Sequence, residues 1–347
     1  MIVHALEVQN FRSYERGLFE VGEKGVAWVG PNAVGKTTLL EAIYKAALLR
    51  GFGRDEEMIR EGATFYRTRL RLSEGVVEIS YERGKGTRVR WNEETILPLA
   101  RWIGKIPVVV LRPADQAWIE GSAAVRRKWV DRLLCQVSPA YLSALTQYEK
   151  ALMQRNALLS VSEPSLSQLE AWENLLIQLG TFIQQARLRG AERLLLLIQK
   201  FYAELGDESI DLKYKISVSP TPEAWRQAWQ QLRRRELNLG RTLIGPHLED
   251  FVVCLEGREA RAYASEGQKK SLLISLKWAE VEYLRSMSPS SPLLLLDDMG
   301  EKLDESRLAA LGKLSHLAAQ IFVTDTDQRR VRKIFPDLSV VELNRKK

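Results

Sequence analysis

The chain has 347 residues, of which 45% are hydrophobic and 27% charged, with two cysteines and a formal net charge of +7. This length allows two domains, and the composition excludes a disordered or fibrous protein. Two cysteines exclude a disulfide framework, and no apolar run approaches the ~20 residues that cross a membrane. The first residues resemble a strand rather than a signal peptide. We therefore expect a cytoplasmic protein without a membrane partner.

The excess of positive charge is compatible with a polyanionic partner such as nucleic acid. Basic clusters occur at residues 126–128, 233–235 and 329–333. Each cluster alone is more often a solvated helix face. Their number favours a nucleic-acid groove.

The first fifty residues contain the phosphate-binding pattern G-x-x-x-x-G-K-[ST] between an apolar run at 26–29 and a helical pattern at 38–50. The glycines let backbone N–H groups approach phosphate, and the start of a helix adds a positive dipole end. We expect Lys36 to reach the β- and γ-phosphates and Thr37 to hold Mg²⁺. The predicted nucleotide-binding residues here are Gly30, Pro31, Asn32, Ala33, Val34, Gly35, Lys36, Thr37 and Thr38.

The next segments change in period. Residues 64–92 alternate between apolar and polar with glycine turns, which predicts an antiparallel meander with one solvated face. Residues 107–111 predict a buried strand. The pattern is helical from about 123 to 205, and a further helix carries Trp225, Trp229 and Leu232. We therefore predict a helical lobe, residues 123–240, inserted into an ATPase domain formed by 1–122 and 241–347.

Two acids complete the predicted nucleotide site. Leucines at 293–296 run into Asp297 and Asp298. A wholly apolar strand is expected inside a parallel sheet, and ligands bind at the carboxyl ends of such strands. Asp297 is then expected to hold Mg²⁺ with Thr37, and Asp298 to polarise the attacking water as a catalytic group beside Lys36. Without the phosphate-binding loop, an acidic strand end would explain both residues equally well.

A tetrapeptide before a long helix resembles the signature motif of ATP-binding-cassette ATPases, which is usually Ser-Gly-Gly-Gln. Its residues are Ser265, Glu266, Gly267 and Gln268. Serine can cap the helix and bind an anion with the N–H groups of the first turn. An ordinary N-cap explains the tetrapeptide alone, but the order of loop, signature, acidic strand and Asp304 favours the ATPase class. In that class the signature of one subunit closes on the γ-phosphate of the other, which implies an ATP-dependent head-to-tail dimer with Ser265 as a catalytic group.

The predicted fold is therefore α/β. It is an ABC-type P-loop ATPase head, with a mixed sheet, helices and the antiparallel meander, that carries an inserted all-helical lobe. The stretch between Lys36 and Asp297 is longer than in a transporter ATPase domain. It lacks the sustained heptads of chromosome-maintenance proteins.

Six further segments carry a resemblance to a known family: residues 10–14, 112–115, 121–122, 126–131, 148–159 and 245–250. With the motifs above, they resemble the RecF family of bacterial DNA replication and repair ATPases over nearly the whole chain. The resemblance implies ATP and Mg²⁺ as cofactors, weak DNA-stimulated ATP hydrolysis, and an ATP-dependent homodimer on gapped DNA and at single-/double-strand junctions. It also implies partnership with RecR, and indirectly with RecO and RecA. It places Arg12 and Ser13 near the adenine base, Thr324 in the switch after the last core strand, and Asp304 in the dimer-contacting loop.

Three positions depart from the family pattern. Ala33 replaces a glycine often present in the loop, and Glu266 stands where the family usually has glutamine. Asp325 interrupts a threonine-rich switch and leaves Thr324 and Thr326 on either side. None of these removes a charge essential to catalysis, but Asp325 near a γ-phosphate could slow turnover or help to position water.

Two other functions stay open. One is a nucleotide-switched assembly platform in which hydrolysis is incidental. The other is an ABC-class ATPase of the transporter or translation type, which would bind membranes or ribosomes rather than DNA. A coupled nuclease is disfavoured because no separate carboxylate-rich metal domain is visible in the sequence.

Overall fold

The computed structural model describes residues 1–161, 165–298, 305–313 and 315–344. No helix within these ranges has both the length and the apolar character that crossing a bilayer requires. The chain divides into two compact units. The first comprises Met1–Gln116, Lys200–Asp207 and Lys270–Lys347, and the second comprises Ala117–Gln199 and Glu208–Lys269.

The bounds of the elements follow the chain. The strands are β1 (Val3–Phe11), β2 (Tyr14–Glu20), β3 (Gly25–Val29), β4 (Phe65–Leu72), β5 (Gly75–Glu82), β6 (Gly86–Trp91), β7 (Glu94–Thr95), β8 (Val108–Leu111), β9 (Ile210–Lys215), β10 (Asp250–Leu255), β11 (Arg258–Glu259), β12 (Leu293–Leu296), β13 (Gln320–Asp325) and β14 (Ser339–Glu342). The helices are α1 (Lys36–Leu48), α2 (Asp55–Met58), α3 (Ala117–Glu120), α4 (Ala123–Val137), α5 (Pro139–Leu159), α6 (Leu166–Tyr202), α7 (Pro222–Leu239), α8 (Ala260–Tyr263), α9 (Glu266–Met287), α10 (Glu305–Lys313) and α11 (Gln328–Ile334).

An antiparallel sheet in the first unit has the strand order β2-β1-β4-β5-β6-β7. Along β4, buried and partly exposed residues alternate, with Tyr66 and Leu70 in the core and Arg67 and Arg69 on the solvent side. Strands β4, β5 and β6 pair consecutively in antiparallel register. The predicted meander over residues 64–92, with one solvated face, is thus confirmed.

A parallel sheet in the same unit has the order β14-β3-β13-β12-β8. Every residue of β3, β8, β12 and β13 is buried, as expected for parallel strands covered on both faces. Because β3, β13 and β12 are neighbours, the residues that follow them meet at one carboxyl edge. The antiparallel strands form a sheet separate from the parallel one, and α1 contacts both sheets.

Helix α1 contacts β1, β4 and β5 of the antiparallel sheet and β8 and β13 of the parallel sheet. Leu39, Leu40 and Ile43 are fully buried and join Trp28 and Phe322 in one hydrophobic core. Full burial of a leucine or isoleucine contributes about 1.5–3 kcal/mol, so this packing fixes the helix firmly.

The second unit contains α4, α5 and α7, most of α6, and a three-stranded sheet of order β11-β10-β9. Strand β9 lies inside the stretch predicted to be helical. It pairs with β10 from Ile210 opposite Leu255 to Lys215 opposite Asp250, and this pairing brings residues up to Lys269 into the compact unit. The division into an ATPase domain and an inserted lobe stays a prediction.

A buried ionic cluster joins the helices of the second unit. Arg155 is fully buried, and its guanidinium donates to Glu173 at 2.8 Å, to Glu236 at 2.5 Å and to the Thr242 hydroxyl at 2.7 Å. His247 is bonded to Tyr148 at 2.9 Å, and burial lowers the pKa of His247 to about 4. The imidazole is therefore neutral at pH 7.

We expect Arg155→Met to lower the free energy of unfolding by about 3–5 kcal/mol, because Glu173 and Glu236 would lose the cation between them. Urea denaturation followed by circular dichroism measures this loss. The control is Arg234→Ala, an exposed residue of α7 whose replacement should change stability by less than ~0.5 kcal/mol. Equal losses in both variants would contradict a central role for the buried cluster.

Candidate nucleotide-binding site

The phosphate-binding loop joins β3 to α1, and its backbone explains its glycines. Gly30 has φ 153°, and a Cβ on it would lie 2.3 Å from the carbonyl oxygen of Leu343. Gly35 caps α1 with φ 96°. Ala33 has φ 65°, a left-handed conformation that disfavours alanine by roughly 1–2 kcal/mol. This geometry accounts for the glycine that the family often has in place of Ala33.

Lys36 is the first residue of α1 and lies 7% exposed. Its Nζ donates to the carbonyl oxygens of Gly30 at 2.6 Å and Pro31 at 2.8 Å. The ammonium is thus held against the loop that precedes the helix. Both carbonyls belong to residues predicted to bind nucleotide.

One carboxylate oxygen ties three elements together. Oδ1 of Asp297 accepts hydrogen bonds from the hydroxyls of Thr37 and Thr324, each at 2.7 Å. The backbone N–H of Asp298 donates to the Thr324 hydroxyl at 3.0 Å. The start of α1 and the ends of β12 and β13 therefore meet at Asp297.

The side-chain oxygens of Thr37 and Asp297 are of the kind that bind Mg²⁺. A threonine hydroxyl and a carboxylate oxygen lie side by side, and Mg²⁺ is commonly bound by one or two protein oxygens plus phosphate oxygens and water. Thr37 and Asp297, the two predicted metal ligands, lie 2.7 Å apart, and their role in holding Mg²⁺ stays a prediction.

A cavity of about 270 Å³ opens beside the loop. Its lining residues are Arg12, Ser13, Asn32, Ala33, Gly35, Lys36, Thr37, Thr38, Asp298 and Thr324. All of them were predicted from the sequence, and they come from separate parts of the first unit. Gly30, Pro31 and Val34 lie within the same loop and were also predicted to bind nucleotide, but they are not among the lining residues.

Arg12 lines the cavity and forms an ion pair with Glu41 that the sequence did not predict. Its Nε and Nη2 donate to the two carboxylate oxygens of Glu41 at 2.9 Å each, and Nη1 donates to the carbonyl of Glu57 at 2.9 Å. Hydrogen bonding to Glu41 raises the pKa of Arg12. Glu41 also accepts the backbone N–H of Phe52 at 2.7 Å. A buried glutamate among the apolar residues of α1 is the feature of the sequence that could have indicated a partner.

Tyr14 lies against Gly35 of the phosphate-binding loop. Its hydroxyl donates to the carbonyl of Gly35 at 3.4 Å, and burial raises the pKa of Tyr14 to about 12. The phenol therefore stays protonated at neutral pH.

Asp325 is 2% exposed, and its carboxylate accepts from the Arg330 guanidinium at 2.8 and 3.1 Å. It also accepts the backbone N–H of Asp327 at 2.9 Å. Asp325 is not one of the residues that line the cavity. Its charge is thus balanced by a residue five positions later in the chain.

The signature tetrapeptide belongs to the second unit, where Ser265 caps α9. The Ser265 hydroxyl accepts from the backbone N–H of Gln268 at 3.2 Å, and Gln268 Oε1 accepts from the backbone N–H of Ser265 at 2.8 Å. This reciprocal pair is a capping box. Glu266 forms an ion pair with Lys269 at 2.9 Å. The anion-binding role of the tetrapeptide, Gly267 included, stays a prediction, and Asp304 lies outside the described residues.

Curated proteins that resemble the chain share one description. It is 35% identical over 349 residues to the DNA replication and repair protein RecF of Heliobacterium modesticaldum, with 94% of this chain and 92% of that protein covered. It is 33% identical over 341 residues to the protein of the same name from Leptospira interrogans, with the same coverage. The chain belongs to the RecF family. In a separate comparison, no family model matches it.

Solved structures of the RecF family share the fold. A structure named as the recombination mediator protein RecF with ATP in the RecFOR pathway has a TM-score of 0.88 and 28% identity, covering 94% of this chain and 92% of that one. A second such RecF structure, named with ATPrS, gives a TM-score of 0.87 at 27% identity, with 94% and 93% covered. The Smc head domain of Pyrococcus furiosus, at 13% identity and a TM-score of 0.55, shares the fold alone over 99% of this chain and 94% of that one. The predicted fold class, an ABC-type ATPase head, is confirmed.

We expect Glu41→Gln to weaken binding of a fluorescent ATP analogue about tenfold, because Arg12 would lose a charged, bidentate partner and its orientation in the cavity. Fluorescence titration measures the dissociation constant. Glu56→Gln is the matched control, since Glu56 accepts from the Tyr81 hydroxyl in the same part of the fold and does not bond to Arg12. An unchanged affinity in Glu41→Gln would refute this role of Glu41.

Proposed function

We propose that this chain is a cytoplasmic, ATP-dependent DNA-binding protein of recombinational repair and replication restart. ATP drives it to dimerise on gapped DNA or at single-/double-strand junctions, where it helps RecR and RecO to load RecA. Slow, DNA-stimulated hydrolysis to ADP and phosphate releases it. The observation that carries this proposal is the meeting of Lys36, Thr37 and Asp297 beside one cavity, in a chain of the RecF family.

In the proposed hydrolysis, each residue in or beside the cavity has a distinct role. Lys36 exchanges its loop carbonyls for phosphate oxygens, and the first N–H groups of α1 stabilise the same negative charge. Thr37 and Asp297 would hold Mg²⁺, which would supply positive charge to offset the negative charge that develops on the phosphates. Asp298 orients the attacking water and accepts its proton.

Dimerisation is supported by the exposure of the signature. Ser265 and Glu266 are exposed at the start of a 22-residue helix, where a second copy can reach them. Ser265 and the N–H groups that follow it then supply donors to the γ-phosphate of the partner. Each site is completed by the other subunit.

The DNA partner and the protein partners rest on different grounds. Binding to DNA is supported by the net charge of +7 and by the description of the relatives as DNA replication and repair proteins. Partnership with RecR and RecO is supported by the naming of two solved relatives as recombination mediators of the RecFOR pathway. The loading of RecA follows from the family resemblance.

We expect Lys36→Ala to abolish ATP-driven dimerisation, because the loop would lose its only side-chain cation for the phosphates. Sedimentation velocity with and without ATP measures the dimer fraction. Lys24→Ala, at an exposed position just before β3, is the control and should dimerise normally. A Lys36→Ala protein that still dimerised with ATP would overturn the proposed scheme.

We expect Asp298→Asn to bind ATP and dimerise but to hydrolyse it roughly a hundredfold more slowly, because the general base is lost. Asp298 has φ 50°, a conformation that asparagine also tolerates, so the backbone should be preserved. DNA release after dilution into competitor DNA should slow to the same degree. Release at the normal rate would instead favour an assembly platform in which hydrolysis is incidental.

A further inference from the structure

The solvent face of the antiparallel sheet carries a row of arginines, and we propose that this row binds the phosphate backbone of duplex DNA. This inference rests on the proposed function, because it says where the DNA lies on a DNA-binding ATPase. We define the arginine row as Arg16, Gln9, Arg67, Ser80 and Arg88.

The strand register places the five residues side by side. Gln9 of β1 lies opposite both Arg16 of β2 and Arg67 of β4, and Ser80 of β5 lies opposite both Arg67 and Arg88 of β6. At about 4.8 Å between strands the row is ~19 Å long, and over that length one strand of a duplex carries roughly five or six phosphates. The row is therefore long enough to contact several phosphates.

The row contains three cations and no carboxylate. Neither Arg16 nor Arg88 forms an ion pair with any residue that the structure describes. Arg67 is 43% exposed and contacts Glu78 only at 3.5 Å, whereas Glu78 lies 3.0 Å from Arg69. Most of the positive charge of the row is therefore available to an external anion.

In the neighbouring row of residues along the same strands, the positive charge is compensated. There Arg69 of β4 lies between Glu7 of β1 and Glu78 of β5, and it pairs with them at 3.8 and 3.0 Å. Opposite charges alternate across these strands, so they compensate one another. The contrast restricts the available charge to the arginine row.

The chemistry of the arginine row favours a duplex over a single strand. Guanidinium groups bind phosphate through two parallel hydrogen bonds. Single-stranded DNA is usually held by aromatic rings on which bases stack, and the row offers none.

The test compares Arg16→Ala, Arg67→Ala, Arg88→Ala and the triple variant in the full-length chain with ATP. Fluorescence anisotropy with a labelled duplex gives the dissociation constant from 50 to 200 mM salt. Each substitution should reduce the slope of log affinity against log salt by about one, and the triple variant should bind at least ~tenfold more weakly. ATP-driven dimerisation should be unchanged, which shows that the variants fold.

Arg69→Ala is the matched control, since it lies on the same face two residues from Arg67 and its charge is already compensated. It should leave the salt slope unchanged. A triple variant that keeps the affinity and slope of the unmodified chain would overturn this inference alone. So would a triple variant that loses single-stranded DNA but keeps the duplex. An unmodified chain that binds no DNA with ATP would instead overturn the proposed function.

Discussion

The candidate nucleotide-binding site depends on one carboxylate oxygen, Oδ1 of Asp297, which accepts hydrogen bonds from the hydroxyls of Thr37 and Thr324 at 2.7 Å each. A buried charge is unfavourable unless hydrogen bonds compensate it, and these two bonds do so. They also fix where three parts of the chain stand: the start of α1, the end of β12 and the end of β13. The geometry exists because β3, β13 and β12 are adjacent parallel strands, so the residues that follow them meet at one edge.

Helix α1 extends this constraint to the rest of the first unit. Its apolar residues pack between the two sheets, and two of its polar residues face fixed partners. Thr37 bonds to Asp297, and Glu41 bonds to Arg12 in the turn that follows β1. The phosphate-binding loop is thus held at one end by a strand and at the other by a helix that cannot shift without disturbing both sheets. Preorganisation of this kind is what a site for charged phosphates requires.

Features encoded locally were predictable, and features that depend on distant pairing were not. The glycine loop, the apolar strand before Asp297 and the alternating meander are each visible within a dozen residues. The Arg12–Glu41 pair could not be predicted in this way, because a glutamate among apolar residues indicates that it has a partner but not which residue the partner is. Strand β9 was missed because six alternating residues between long helices become a strand only by pairing with β10. Asp325 follows a core strand, but only the turn into α11 brings Arg330 to its carboxylate.

Burial also changes the meaning of the basic clusters in the sequence. Within 126–128, Arg126 donates to both oxygens of Asp250 at 2.7 and 2.8 Å, and Arg233 of the next cluster pairs with Glu173 at 2.6 Å. Arg330 binds Asp325. Each cluster therefore contributes at least one cation to the internal structure, where buried polar groups must be paired. The arginine row, by contrast, is spread over five strands and does not form a cluster in the sequence, because only the register of the sheet aligns it. The positive charge available to a polyanion depends on which cations are exposed and unpaired at the surface. Clusters of basic residues in the sequence are therefore a poor guide to the binding surface.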